Sequence, residues 1–72
     1  MKDSKDVIMD LKVEVKDYDA RVLKIENKIF NPNGLSKRQV ELLKIQRKIF
    51  KELIDVVDLR IEDLEANLKR ED

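Results

Sequence analysis

Asn31-Pro32-Asn33-Gly34-Leu35-Ser36 is the stretch that decides the fold. Pro32 has no backbone N–H and pushes Asn31 away from helical angles, so a helix entering this stretch must stop. Asn33 and Gly34 tolerate the positive φ that a chain reversal needs. Ser36 is placed to cap a second helix, with Gln39 completing a capping box and Leu35 and Val40 forming a hydrophobic staple. So short a connection makes the flanking helices antiparallel neighbours.

Outward from the turn, both arms carry the apolar spacing of a helix. Ile8, Leu11, Val15, Tyr18, Val22, Ile25 and Ile29 recur in alternating steps of 3 and 4. Val40, Leu43, Arg47, Phe50, Ile54, Val57, Ile61, Leu64 and Leu68 do the same, with Arg47 as the one polar member. On a helix each set is a single stripe. The stripes match in phase: Ile29 faces Val40, Ile25 faces Leu43, Val22 faces Arg47, Tyr18 faces Phe50 and Ile8 faces Ile61, while Leu64 and Leu68 run past the start of the first helix. The reading is an all-α chain, an antiparallel two-helix hairpin forming one domain over 1–72. Its first helix spans about 4–31 with Asp3 or Ser4 as cap, its turn 32–35 and its second helix about 36–70.

Seventy-two residues bury little, and chains of this size usually need a staple. With neither Cys nor His present, disulfides and the common zinc sites are excluded, and no Asp-rich calcium loop appears. No cofactor is expected. A charged fraction of 44% with one Gly and one Pro suits long solvated helices, while the regular apolar spacing argues against disorder. No apolar run reaches the roughly 18 residues of a membrane span. Neither a membrane nor a signal peptide is therefore implied, and a cytoplasmic location is expected.

Each helix also carries apolar residues off its stripe. The first has Met9, Val13, Ala20, Leu23 and Phe30 roughly opposite; the second has Leu42, Ile45, Ile49, Leu53 and Val56 beside. Leaving such a side chain in water forfeits about 1.5–3 kcal/mol. They either widen the hairpin core or form an interface. The expected assembly is a homo-oligomeric helical bundle, with a four-helix dimer as its simplest form. Its interface would use Leu42, Ile45, Ile49, Leu53, Val56, Val13, Leu23 and Phe30.

The formal charge is zero but unevenly spread. Residues 24–51 hold eight cations against two anions, and residues 52–72 hold eight anions against three cations. A hairpin therefore has a basic turn end and an acidic open end. This is a solvated mixed surface, a guide for head-to-tail pairing of copies, or an anion site. For an anion site the candidates are Arg47, Lys44, Lys48 and Arg21, whose groups suit phosphate oxygens, with Tyr18 to stack a base. Against this, Arg47 can pack its stem and send its head to water, or pair with Asp19 or Glu26. A nucleic-acid groove is not expected, since Tyr18, Phe30 and Phe50 are too few for a stacking platform.

Catalysis is not expected. General acid–base work at neutral pH draws on His or a buried carboxylate, and here the acids fall at surface-type positions beside lysines. Ser36 reads as a cap, Ser4 is terminal, and neither has a base beside it.

Ala20-Arg21-Val22-x-x-Ile25, the Leu35-Ser36 turn end, Gln39-x-x-Leu42-Leu43-x-x-Gln46 and Leu59-Arg60-Ile61-x-x-Leu64 together resemble small helical-hairpin proteins of phages of Gram-positive bacteria. The resemblance covers most of the chain and implies an accessory or counter-defence protein that binds rather than reacts. Some phage hairpins of this outline sequester cyclic nucleotides. The Gly-Leu turn is also similar to that of the hairpin phosphatases of sporulation response regulators. Those need a Ser-Gln-x-x-Asp motif, and Lys44-Ile45-Gln46-Arg47-Lys48 lacks its Asp. The functional expectation is a self-associating module that binds a host protein. The alternatives are an oligomeric sponge for an anionic nucleotide and a structural coiled-coil scaffold.

Overall fold

Asp3 starts the first helix. In the computed structural model, which describes residues 3–71, its extended backbone lets the side chain accept a 3.0 Å hydrogen bond from the Asp6 N–H. One of the free donors at the helix start is thereby satisfied, so Asp3 rather than Ser4 is the cap. Helix α1 runs Ser4–Phe30 and helix α2 runs Lys37–Glu71. All four helix ends lie within a residue of the sequence reading.

Helix α1 ends where Pro32 requires it to. The Asn31 N–H donates to the Asn27 carbonyl at 2.9 Å, and the Asn31 side-chain amide donates to the same oxygen at 3.3 Å. The Leu35 N–H then closes a turn onto the Pro32 carbonyl at 2.9 Å. Gly34 occupies the third position of that turn at φ 80, and among the described residues no other residue has a positive φ. Asn33 therefore does not use its tolerance for that region, because one left-handed residue suffices for a reversal of this kind. The Gln39 N–H donates to Ser36 Oγ at 3.1 Å, which caps α2 as its spacing requires.

The arms pack antiparallel into a rod of 55 × 18 × 15 Å. The paired stripes form the seam in the expected register. Ile8, Leu11, Val57 and Ile61 make the buried cluster, and Val7, Val15, Tyr18, Leu64 and Leu68 pack around it. Leu64 and Leu68, which the register places past the start of α1, still pack against this cluster. Helical side chains lean toward their own N-terminus, so α1 covers surface beyond its first turn, and Leu68 shares a depression with Lys5 and Ile8.

The core is uneven along the rod. Val57 is 3% exposed, and Val22 and Ile25 are also buried, yet Val40, Leu43, Arg47, Phe50 and Ile54 are only half-buried. Two causes act together. A lone pair of helices covers each stripe from one side only, and Arg47 puts a charged head where a leucine would seal the layer opposite Val22.

Candidate functional site

Two kinds of surface distinguish this hairpin from a closed bundle. The first is apolar. Ile49 is 59% exposed, with Ile45 and Val56 nearly as bare beside it and Leu42 and Leu53 exposed to 39% and 38% at the edge of the same side of α2. Leu59 continues the same face, one turn beyond the expected set. Leu42, Ile45, Gln46, Ile49, Phe50 and Leu53 enclose an open depression of about 350 Å³ there. On α1 the residues opposite the seam are equally bare: Met9, Val13, Leu23 and Phe30, the last at 72%.

The second surface is a groove of about 330 Å³ between the helices near the turn. Arg21, Lys24 and Lys28 form its α1 wall, Leu43, Gln46 and Phe50 its α2 wall, and Ile25 its floor. The three cations recur at i, i+3 and i+7, which places them in one row on a helix. Gln46 and Phe50 belong to both depressions, so a single ridge separates the basic groove from the apolar face.

The five residues proposed for an anion divide between the two sides of the hairpin. Arg21 joins Lys24 and Lys28 in the groove, whereas Lys44 lines a depression by the turn with Pro32, Leu35, Lys37, Val40 and Glu41. Lys48 is exposed and Arg47 half-buried, and neither lines either depression. Among the described residues Arg47 makes no ion pair within 4.0 Å with Asp19, Glu26 or any other carboxylate, and the residue as a whole is half-buried. Lys24, Lys28 and Gln46 are groove residues that the heptad reading passes over. The row that Lys24 and Lys28 share with Arg21 on α1 is the signal that finds those two; Gln46 joins them from α2.

Tyr18 lies across the seam from Phe50, with ring centroids 6.0 Å apart and planes tilted by 42°. Its hydroxyl donates to Glu14 Oε1 at 3.3 Å. Partial burial and then the Glu14 carboxylate hold its phenol above the ordinary tyrosine value, so it is protonated at neutral pH. A half-buried ring packed against Phe50 has one face already taken, which limits its use for stacking a base.

Elsewhere the surface holds weak ion pairs, Lys12–Glu65 at 4.0 Å across the hairpin and Arg38–Glu41 at 3.7 Å along α2. Exposed pairs of this kind contribute at most about 1 kcal/mol each. Among the described residues no three carboxylates gather as a metal site, and no helix is long and apolar enough to cross a membrane. In comparisons with known proteins the chain matches no family model, no curated protein and no solved structure.

Proposed function

We propose that this chain is a self-associating helical hairpin that acts by binding, with a protein as its target, rather than by catalysis. One observation carries the reading: apolar side chains line an outer face on both helices after the hairpin has closed. The chain exposes 5932 Å², where a compact 8.6 kDa protein would expose roughly 4,700 Å², an excess of about 1,200 Å². A standard protein interface buries about 800 Å² on each partner. The excess therefore suits one stable interface with surface to spare. Self-association covers one face, and the other is left for the target, which for a phage-type hairpin would be a host protein.

Sedimentation velocity on the purified chain tests the first half of the proposal. A discrete multiple of the chain mass at micromolar concentration is the expected result. A monomer at the highest soluble concentration overturns it. The second half gives the α2 face to self-association and the α1 face, which holds the expected interface residues Val13, Leu23 and Phe30, to the target; it is tested on the Leu23→Glu and Phe30→Glu variants, which keep the seam intact. They should assemble as the parent does and lose the protein recovered by the parent from host extract.

The groove favours a second reading, an anion sponge. Three cations over an apolar floor suit a ligand with a charged end and a flat body. Calorimetry with a panel of cyclic nucleotides tests it. Binding lost in Arg21→Ala and Lys24→Ala would support this reading, and absence of heat with every nucleotide would exclude the panel.

A further inference from the structure

Taking self-association as its premise, we propose that α2 pairs with α2 of a second copy in antiparallel, two-fold fashion, centred near Phe50–Lys51. Two independent patterns on α2 share that centre. The first is apolar. The exposed residues run Leu42, Ile45, Ile49, Leu53, Val56 and Leu59, and the series reads nearly the same from either end. Reversed against itself, it sets Leu42 opposite Leu59, Ile45 opposite Val56 and Ile49 opposite Leu53. A two-fold interface requires this, because one patch must complement its own reversed copy.

The second pattern is electrostatic. From Lys37 to Lys51, α2 carries six cations and one anion; from Glu52 to Glu65 it carries six anions and one cation. The sign changes between Lys51 and Glu52, within a residue of the centre of the apolar series. Antiparallel pairing lays each basic half on the acidic half of the other copy, bringing Arg38 toward the partner's Asp63 and Lys48 toward the partner's Glu52. Parallel pairing would set like halves together, and like charges across an interface oppose association.

The geometry of the rod permits the contact. The face is continuous over about five turns of α2 and none of its residues belongs to the seam, so both hairpins stay closed. Six apolar side chains from each copy meet, and the result is a four-helix layer with α2 helices inside and α1 helices outside. The Met9, Val13, Leu23 and Phe30 face of α1 stays free.

The natural chain has no cysteine, so single-cysteine variants test the pairing cleanly. Leu42→Cys and Leu59→Cys chains are prepared separately, checked for assembly by sedimentation, then oxidised alone and as a mixture. Antiparallel pairing predicts a disulfide-linked species in the mixture and little in either variant alone. Cross-linking of each variant with itself would show parallel pairing and overturn the inference. An assembled mixture that does not cross-link would overturn the inference while leaving self-association standing. Parent chains that sediment as monomers would remove both. A Lys48→Glu variant should assemble more weakly, and the added change Glu52→Lys should restore assembly.

Discussion

Tyr18 and Phe50 meet across the hairpin at 6.0 Å, an aromatic contact in the half-covered middle of the rod. Apart from Arg47, the seam residues above and below it are aliphatic and tolerate small shifts along the rod. The two rings cannot slide without losing each other. Phe50→Ala should cost about 2 kcal/mol, less than a fully buried phenylalanine because one side of the ring is open. A double-mutant cycle with Tyr18→Ala should show coupling of about 0.5–1.5 kcal/mol. Urea denaturation at one fixed chain concentration measures both, and zero coupling would show that the rings are only neighbours.

The phenol of Tyr18 gives a pH signature. Folding raises its pKa above the ordinary value, so the folded chain holds this proton more tightly than the unfolded one. The resulting stability is fully present below the unfolded pKa of about 10 and is lost as pH rises through the folded value. Ultraviolet titration reads this directly, since Tyr18 is the only tyrosine and there is no tryptophan. The midpoint should lie above that of a denatured control, and Glu14→Gln should lower it. A midpoint equal to the control would contradict the Glu14 contact.

Arg47 interrupts an otherwise apolar seam and, among the described residues, gains no ion pair there. Arg47→Leu should therefore stabilise the hairpin by about 1–2 kcal/mol through added burial. Thermal denaturation at fixed concentration decides the matter. A loss of stability would mean that the guanidinium head interacts in the assembled protein with a group on another copy.

Gly34 and Ser36 separate two causes of turn stability. A Cβ added at Gly34 would meet nothing within 4 Å, so Gly34→Ala carries only the backbone cost of its positive φ, about 1 kcal/mol. Ser36→Ala removes the acceptor for the Gln39 N–H and should cost a similar amount, about 1 kcal/mol. Denaturation curves of the single and double variants should show near-additive losses. A much larger effect at Gly34 would mean that the turn contacts another copy.

The hairpin was legible because its signals are local or periodic. Pro32, Gly34 and Ser36 each impose a backbone condition on their own neighbourhood, and the 3–4 spacing places Tyr18 against Phe50 and Ile8 against Ile61 without tertiary knowledge. The side of the hairpin on which a cation falls was not legible in the same way. Arg21 and Lys44 come near each other when the seams are aligned on paper, yet they project from opposite flanks and line different depressions. A heptad register gives the level of a residue along the rod. Its flank depends on the angle around each helix. The uneven core was hidden for a related reason, since a stripe records which residues face the partner helix and not how completely it covers them.

The peptide link and the tightest packing lie at opposite ends of a 55 Å rod. Ile8 and Leu11 grip Val57 and Ile61 at the far end from Gly34. A cut at the turn, made after folding, would leave two helices still clasped by their best contacts. A cut that removed the last turns of α2 would strip Leu64 and Leu68 from the clasp while sparing the turn. This hairpin should therefore survive proteolytic nicking at its bend and fail when trimmed at its tail.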